Sequence, residues 1–291
     1  MSKHASAFQE KVMSFLYRGK EFFKPLNTGH MDEQVSCVRE FIANIFFYTK
    51  NGVTIMIDAG YNYDRLKEKM GWLDLDPADI RHILITHQDT DHVGAVETDS
   101  DGLFRNATLY IGEEENKYLT GERRRRVIHG LYKLPMVHSD NRKELLRDGQ
   151  VFSIGDIKIE CFLVPGHTWG HMVYLIDNGY LFTGDTIWFG PDGGRSFINM
   201  LAEDNRVAIQ SLATLEEKLR ARELHPKIIT GHTGWTDDLD FAFAQRDKVC
   251  NAYVKQKPHD PDAPYDGYDE SDDTEEKARS VRLKKQKRIR A

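Results

Sequence analysis

Cysteine is scarce in this chain, and long apolar runs are missing altogether. Cys37, Cys161 and Cys250 are odd in number and far apart, so they propose neither a disulfide framework nor a zinc ribbon. No stretch approaches the roughly eighteen uninterrupted apolar residues that a membrane-spanning helix needs. The first thirty residues carry Lys3, Glu10, Lys11, Arg18, Lys20 and Glu21, which leaves no apolar region for a secretory signal. A strong excess of one charge is lacking too. A net charge of -6 over 291 residues argues against a chain-wide role on nucleic acid or on a membrane surface. The expected setting is therefore a reducing cytoplasm, with a small-molecule substrate as partner; homo-oligomerisation stays open.

What is present is an ordinary globular composition, 40% hydrophobic and 11% aromatic, long enough to bury a substantial core in one large or two small domains. Residues 8–25 mix apolar and charged positions as a short amphipathic helix does. Asn44 to Thr49 and Val53 to Ile57 flank Asn51-Gly52, a hairpin turn signal, and Tyr63 to Trp72 reads as a helix. Ile80 to Thr86 and Leu109 to Ile111 read as buried strands, and Glu113 to Leu119 as a helix. Residues 121–148 are polar and basic and give no firm assignment. Ile157 to Val164 is a strand, and Met172 to Ile176 with Tyr180 to Thr183 form a second hairpin around Asp177-Asn178-Gly179. Asp204 to Arg222 has helical spacing, Lys227 to Thr230 is a short strand, and Leu239 to Lys255 reads as a last helix. The order suggests two similar halves, each a sheet with helices on one outer face.

Composition shifts past Lys257. Residues 260–276 hold nine acidic side chains and no basic one, and residues 277–290 hold eight basic ones and no acidic one. The expected organisation is a catalytic domain over 1–257 and a charged, self-neutralising tail over 258–291.

The chemistry lies in short polar clusters, each placed just after a strand-like run. These are His87-Gln88-Asp89-Thr90-Asp91-His92, Gly166-His167, Gly184-Asp185 and Gly231-His232, with Asp58 in Met56-Ile57-Asp58-Ala59-Gly60 as a support. Alternate residues of an extended segment project to one side, so His87, Asp89 and Asp91 can point together while His92 turns aside as a helix begins. Imidazole and carboxylate are ligands for zinc, iron or manganese. Any one of these residues alone reads more simply as a cap or turn former; seven after strand-like runs do not.

In this order the clusters resemble the metallo-β-lactamase superfamily over roughly residues 40–240. The family pattern is HxHxDH, then a His after Gly, an Asp after Thr-Gly, and a final His after Gly. The resemblance implies an α/β fold, a four-layer αββα sandwich with two divalent metal ions at one edge between the sheets. By position, His87, Asp89 and His167 would hold the first metal and Asp91, His92 and His232 the second. Asp185 would bridge them, and Asp58 would orient a ligand histidine. The family usually has His where this chain has Asp89, and a carboxylate there brings iron or manganese into play beside zinc. The implied activity is hydrolysis by a hydroxide between the metals, with Asp91 as catalytic proton carrier.

Within the family, Asp185 argues against the common β-lactamases, which place Cys there. The absence of Tyr in Asp185-Thr186-Ile187-Trp188 weakens the lactone-cleaving quorum-quenching branch. Glyoxalase II-like thioester hydrolysis stays open, although the basic glutathione-reading domain is not evident. An ester, thioester or lactone is the first expectation. Phosphodiester hydrolysis is the alternative, because of Arg123-Arg124-Arg125-Arg126, and a diiron oxygen-binding, redox or sensing module is the rival class. The arginine run itself reads as a solvated helix face in preference to an anion-binding patch. His171 reads as a non-ligand, and Trp169, Trp188 and Phe189 as either core or pocket wall.

Overall fold

The structure is a computed structural model, and it describes residues 22–60, 63–97 and 102–252. Most of the expected N-terminal helix and the whole charged tail lie outside the described residues; Phe22 to Pro25 are not helical. Among the described residues no helix is long and apolar enough to cross a membrane.

The first sheet is built from β1 (Gly29–His30), β2 (Val35–Glu40), β3 (Ala43–Lys50), β4 (Val53–Ile57), β5 (His82–Ile85) and β6 (Thr108–Gly112). A two-stranded ladder of β7 (Arg126–Val127) and β8 (Tyr132–Lys133) intervenes before β9 (Lys143–Leu146) completes that sheet in the order β1-β2-β3-β4-β5-β6-β9. Its first half is antiparallel, and β4, β5, β6 and β9 run parallel. The β3–β4 hairpin turns at Asn51 and Gly52, both at positive φ (48° and 80°), the backbone that an Asn-Gly turn demands.

The second sheet runs through β10 (Val151–Ile154), β11 (Ile157–Leu163), β12 (Met172–Ile176) and β13 (Tyr180–Phe182). Next in the chain, β14 (Ile187–Gly190) and β15 (Gly193–Ile198) form a hairpin of their own. The chain then returns to the second sheet with β16 (Lys227–Ile229) and β17 (Trp235–Thr236), while β18 (Val249–Cys250) joins the hairpin.

Alternation along the strands decides what faces what. Phe46 and Tyr48 of β3, Leu84 of β5, Met172, Tyr174 and Ile176 of β12, and Phe182 of β13 meet between the two sheets. The intervening Phe47, Met56, Ile83 and Ile85 pack outward against Leu66 and Met70 of the helix Tyr63–Trp72. Val173, Leu175 and Leu181 pack outward against Leu212, Leu215 and Leu219 of the helix Asn205–Arg220. Helix, sheet, sheet and helix therefore stack as an αββα sandwich, with strands buried on both faces; that is why they read as nearly continuous apolar runs.

Two expectations need correcting. The last helix spans Leu239–Phe243 and not Leu239 to Lys255, because Val249 and Cys250 pair with Ser196 and Ile198 and take the chain into a strand. The arginine run is not a helix face. Residues 121–125 follow the end of the helix Glu113–Leu119 as turn and coil, and Arg126 opens β7.

The loops that carry the expected site residues are held against packed backbone. Gly166 has φ 134°, and a Cβ there would stand 2.3 Å from the backbone N of Ala208 in the helix Asn205–Arg220. Its carbonyl accepts from the amides of Glu203 (2.9 Å) and Asp204 (3.0 Å). Replacing Gly166 with Ala is expected to lower unfolding free energy by about 2 kcal/mol or more. Chemical denaturation checks this; a change within about 0.5 kcal/mol would show that the clamp does not exist.

Candidate metal centre

Every site residue singled out from the sequence reaches the same edge of the sandwich. Asp58 follows β4, His87 follows β5, His167 follows β11, Asp185 follows β13 and His232 follows β16, while Asp91 and His92 lie in the short helix Thr90–Val93. Two clusters result, His87 with His167 and Asp185, and Asp91 with His92 and His232; within each, the donor atoms lie within 4.8 Å of one another. Asp89 belongs to neither.

The far nitrogens of three histidines are fixed by acceptors. His92 Nδ1 donates to Asp58 Oδ2 at 2.8 Å, and His232 Nδ1 donates to the Ile42 carbonyl. The Thr86 hydroxyl gives its single proton to the Asp58 carboxylate (2.8 Å to Oδ2), so at 3.0 Å it accepts from His87 Nδ1. A neutral imidazole that donates at Nδ1 carries a lone pair at Nε2. All three lone pairs turn inward. Asp58 itself stands at φ 60°, which lets its carboxylate fold back onto Thr86 and His92 together.

These inward atoms fit a cation better than they fit each other. His92 Nε2 and His232 Nε2 stand 3.3 Å apart. Asp185 Oδ1 lies 3.3 Å from His92 Nε2 and 3.1 Å from His232 Nε2, and Asp91 Oδ2 lies 3.6 Å and 3.5 Å from the same two nitrogens. Donor atoms around a tetrahedral zinc, at bond lengths of about 2.0–2.1 Å, stand roughly 3.3 Å apart. On the other side, Asp185 Oδ2 is 3.7 Å from His87 Nε2 and 3.6 Å from His167 Nε2. His87 Nε2 and Asp185 Oδ1 are buried without a hydrogen-bond partner, which is costly unless a further group satisfies them.

Electrostatics agree. Burial alone would lower the proton affinity of His92, but Asp185, Asp91 and Asp58 outweigh it and hold that affinity well above the ordinary imidazole range. His232 is raised in the same way, burial being outweighed by Asp185 and Asp91. The pocket therefore draws positive charge to this pair. His167 behaves oppositely, pushed down to about 4 by burial and by the Arg125 guanidinium.

That arginine is the residue sequence reasoning misplaced. Arg125 is 2% exposed; its Nε donates to Asp89 Oδ1 at 2.7 Å and its Nη2 to Asp89 Oδ2 at 2.9 Å. The anion it binds is a carboxylate of its own chain. Four consecutive arginines read as solvated, and only the fold shows that one of them finds a buried counter-charge.

Glu115 was also missed. It accepts from the Gln88 amide (2.7 Å) and the Thr168 hydroxyl (2.6 Å), and burial pushes its carboxyl up to about 7. In the sequence it is one of three successive glutamates opening a helix, the ordinary place for solvated acids. His171, outside both clusters, accepts from the Asp185 amide at 3.1 Å through Nε2. Trp188 and Phe189 are core, with Trp188 Nε1 donating to the Phe22 carbonyl, whereas Trp169 is exposed. Phe23 and Phe197 cover the site, with ring centroids 5.0 Å and 5.3 Å from that of His232.

Asp58 joins β4 to His92, and Asn tolerates its positive φ. Asp58→Asn is therefore expected to keep the fold while weakening zinc binding about 10–100-fold. Competition against a chromophoric chelator checks this, and unchanged affinity would remove Asp58 from the site.

Comparison with known proteins bears on the family. The model of the metallo-beta-lactamase superfamily matches residues 38–249. A hydroxyacylglutathione hydrolase of Buchnera aphidicola is 32% identical over 148 residues, 50% of this chain and 47% of that protein. A probable polyketide biosynthesis zinc-dependent hydrolase, PksB of Bacillus subtilis, is 24% identical over 180 residues, covering 62% and 67% of the two chains. The chain spans about half the length of several curated relatives it matches. Among solved structures, a Cronobacter sakazakii metallo-beta-lactamase with a HARLDQ motif superposes with a TM-score of 0.54 at 16% identity, over 75% of this chain and 77% of that one; at that identity the likeness speaks for the fold. The chain belongs to the metallo-β-lactamase superfamily.

Proposed function

We propose that this chain is a metal-dependent hydrolase of thioesters or related carboxylic esters, with a centre for two divalent cations, zinc in the first instance. The observation that carries the reading is Asp185, whose two oxygens face different clusters. Oδ1 faces His92 and His232, and Oδ2 faces His87 and His167. A carboxylate so placed could be shared by two cations. The first is His87, His167 and Asp185, with Asp89 Oδ2 3.2 Å from His167 Nε2. The second is Asp91, His92 and His232 with Asp185.

Bound there, divalent cations supply Lewis acidity and bring a water's ionisation near neutral pH. The protein's own part is positioning and proton handling. Asp58, Thr86 and Ile42 fix the imidazoles, so little is left to reorganise during the reaction. Asp91 is the cluster carboxylate nearest solvent, its side chain 22% exposed against 4% for Asp185. It can take a proton at Oδ2 and deliver it to a leaving group. Phe23 packs its ring against His232, and Phe197 against both His232 and His167.

The relative that acts on hydroxyacylglutathione cleaves an acyl group from sulfur, which favours thioesters among the classes open to this site. Of the arginine run behind the phosphodiester alternative, Arg125 is already committed to Asp89 and Arg123 to Glu114, which favours the carboxylic esters. The diiron rival rested on Asp89 as a hard ligand, and the same pairing weakens it.

The deciding experiment measures metal content together with turnover of thioester, lactone and phosphodiester substrates. Thioester cleavage that chelation abolishes and zinc restores is expected. Bound metal without cleavage of any carboxylic ester, or iron with oxygen uptake, would reject the reading. Asp91→Asn is expected to lower kcat by about 10²–10⁴ with circular dichroism unchanged; a folded, metal-loaded variant of full activity would exclude Asp91 from the reaction.

A further inference from the structure

The Asp89–Arg125 pair bears on how the two cation positions differ. Arg125 is enclosed by acceptors: Asp89 takes Nε and Nη2, the Leu201 carbonyl takes Nη2 at 2.6 Å, and the Arg126 carbonyl takes Nη1 at 3.2 Å. Buried and bound on several sides, it cannot swing into solvent without leaving those groups unpaired.

Asp89 is correspondingly occupied. Its Oδ1 accepts from Arg125 Nε and, at 2.9 Å, from Gln88 Nε2, and its Oδ2 accepts from Arg125 Nη2. What is left of Oδ2 faces His167 Nε2 at 3.2 Å and His87 Nε2 at 3.7 Å. Arg125 Nη2 lies 3.1 Å from His167 Nε2, so a fixed positive charge stands beside the position a cation would take at His87 and His167. Asp91 and Asp185 are placed differently. Among the described residues their ion-pair partners are imidazoles; Asp185 faces both pairs of histidines, and Asp91 adds its charge to the His92–His232 side with no guanidinium paired to it. Like charges a few ångströms apart in a poorly hydrated interior interact far more strongly than in water.

We infer that Arg125 withholds Asp89 from the first cation position, so that the centre has a strong position at Asp91, His92, His232 and Asp185 and a weak one at His87, His167 and Asp185. Asp89 then serves as the counter-ion of Arg125, and the guanidinium sets the order in which cations enter. The inference rests on the proposed metal centre but concerns affinity and occupancy, not turnover.

Equilibrium dialysis against buffered zinc, with metal counted by mass spectrometry, reads both steps directly. The full chain is expected to bind one zinc at least about tenfold more tightly than a second. His232→Ala should remove the tight step and His87→Ala the weak one. Arg125→Gln frees Asp89 and should tighten the weak step about tenfold or more while leaving the tight step in place. Because a single change at a buried ion pair endangers folding, the neutral pair Arg125→Gln with Asp89→Asn is the second variant. Its weak step should equal or exceed that of the unaltered chain, since a cationic neighbour is lost but no ligand is. If Asp89 is instead a ligand and Arg125 only its charge balance, the double variant binds the second zinc more weakly, which overturns the inference. Two steps of equal affinity in the unaltered chain overturn it as well and leave the metal centre intact. No tight zinc in any of the proteins overturns both.

Discussion

Two imidazole nitrogens that face each other at 3.3 Å, each with its proton committed to the far side of its ring, repel one another unless positive charge lies between them. The rest of the site follows from this constraint. Asp58 and the Ile42 carbonyl accept the far protons, and Asp185 and Asp91 surround the near nitrogens with negative charge. The cost of burying so many polar atoms is met by the sandwich, whose packed sheets leave the strand ends little freedom to move apart. Stability of the fold and chemistry of the site are thus coupled through the strand termini.

Asp185 gives the arrangement its symmetry, and Arg125 breaks it. An oxygen of Asp185 faces each pair of histidines, which alone would make two equivalent positions. The guanidinium on Asp89 makes them unequal. In this reading the site has a strongly negative half beside Phe23 and a half whose third carboxylate is paired with Arg125, with Phe197 against a histidine of each. A substrate carbonyl approaching this centre would meet two different environments, which suits a reaction in which one oxygen gains charge while a leaving group departs.

How much of this could be read from the sequence depended on whether local pattern or tertiary contact decides each residue. The strands and their polar termini were legible, because an apolar run ending in His or Asp is a local signal; His87, Asp185 and His232 stand where that signal puts them. The Asn51-Gly52 turn and the helices Tyr63–Trp72 and Asn205–Arg220 were legible for the same reason. Leu239 to Lys255 was over-read because apolar spacing continues past Phe243, while pairing of Val249 and Cys250 with β15 ends the helix there. Arg125 and Glu115 were illegible. Each sits in a run of like charges, and only the fold decides which member of the run turns inward. Phe23 and Phe197 come from distant segments and meet over the site through packing that no local pattern encodes.

The most direct test of the central claim is anomalous X-ray diffraction from zinc-soaked crystals, collected on both sides of the zinc absorption edge. The account predicts a strong edge-dependent peak bonded to His92 Nε2, His232 Nε2 and Asp185, and a weaker one bonded to His87 Nε2 and His167 Nε2. Zinc ordered elsewhere, or these nitrogens turned apart with no peak between them, would contradict it.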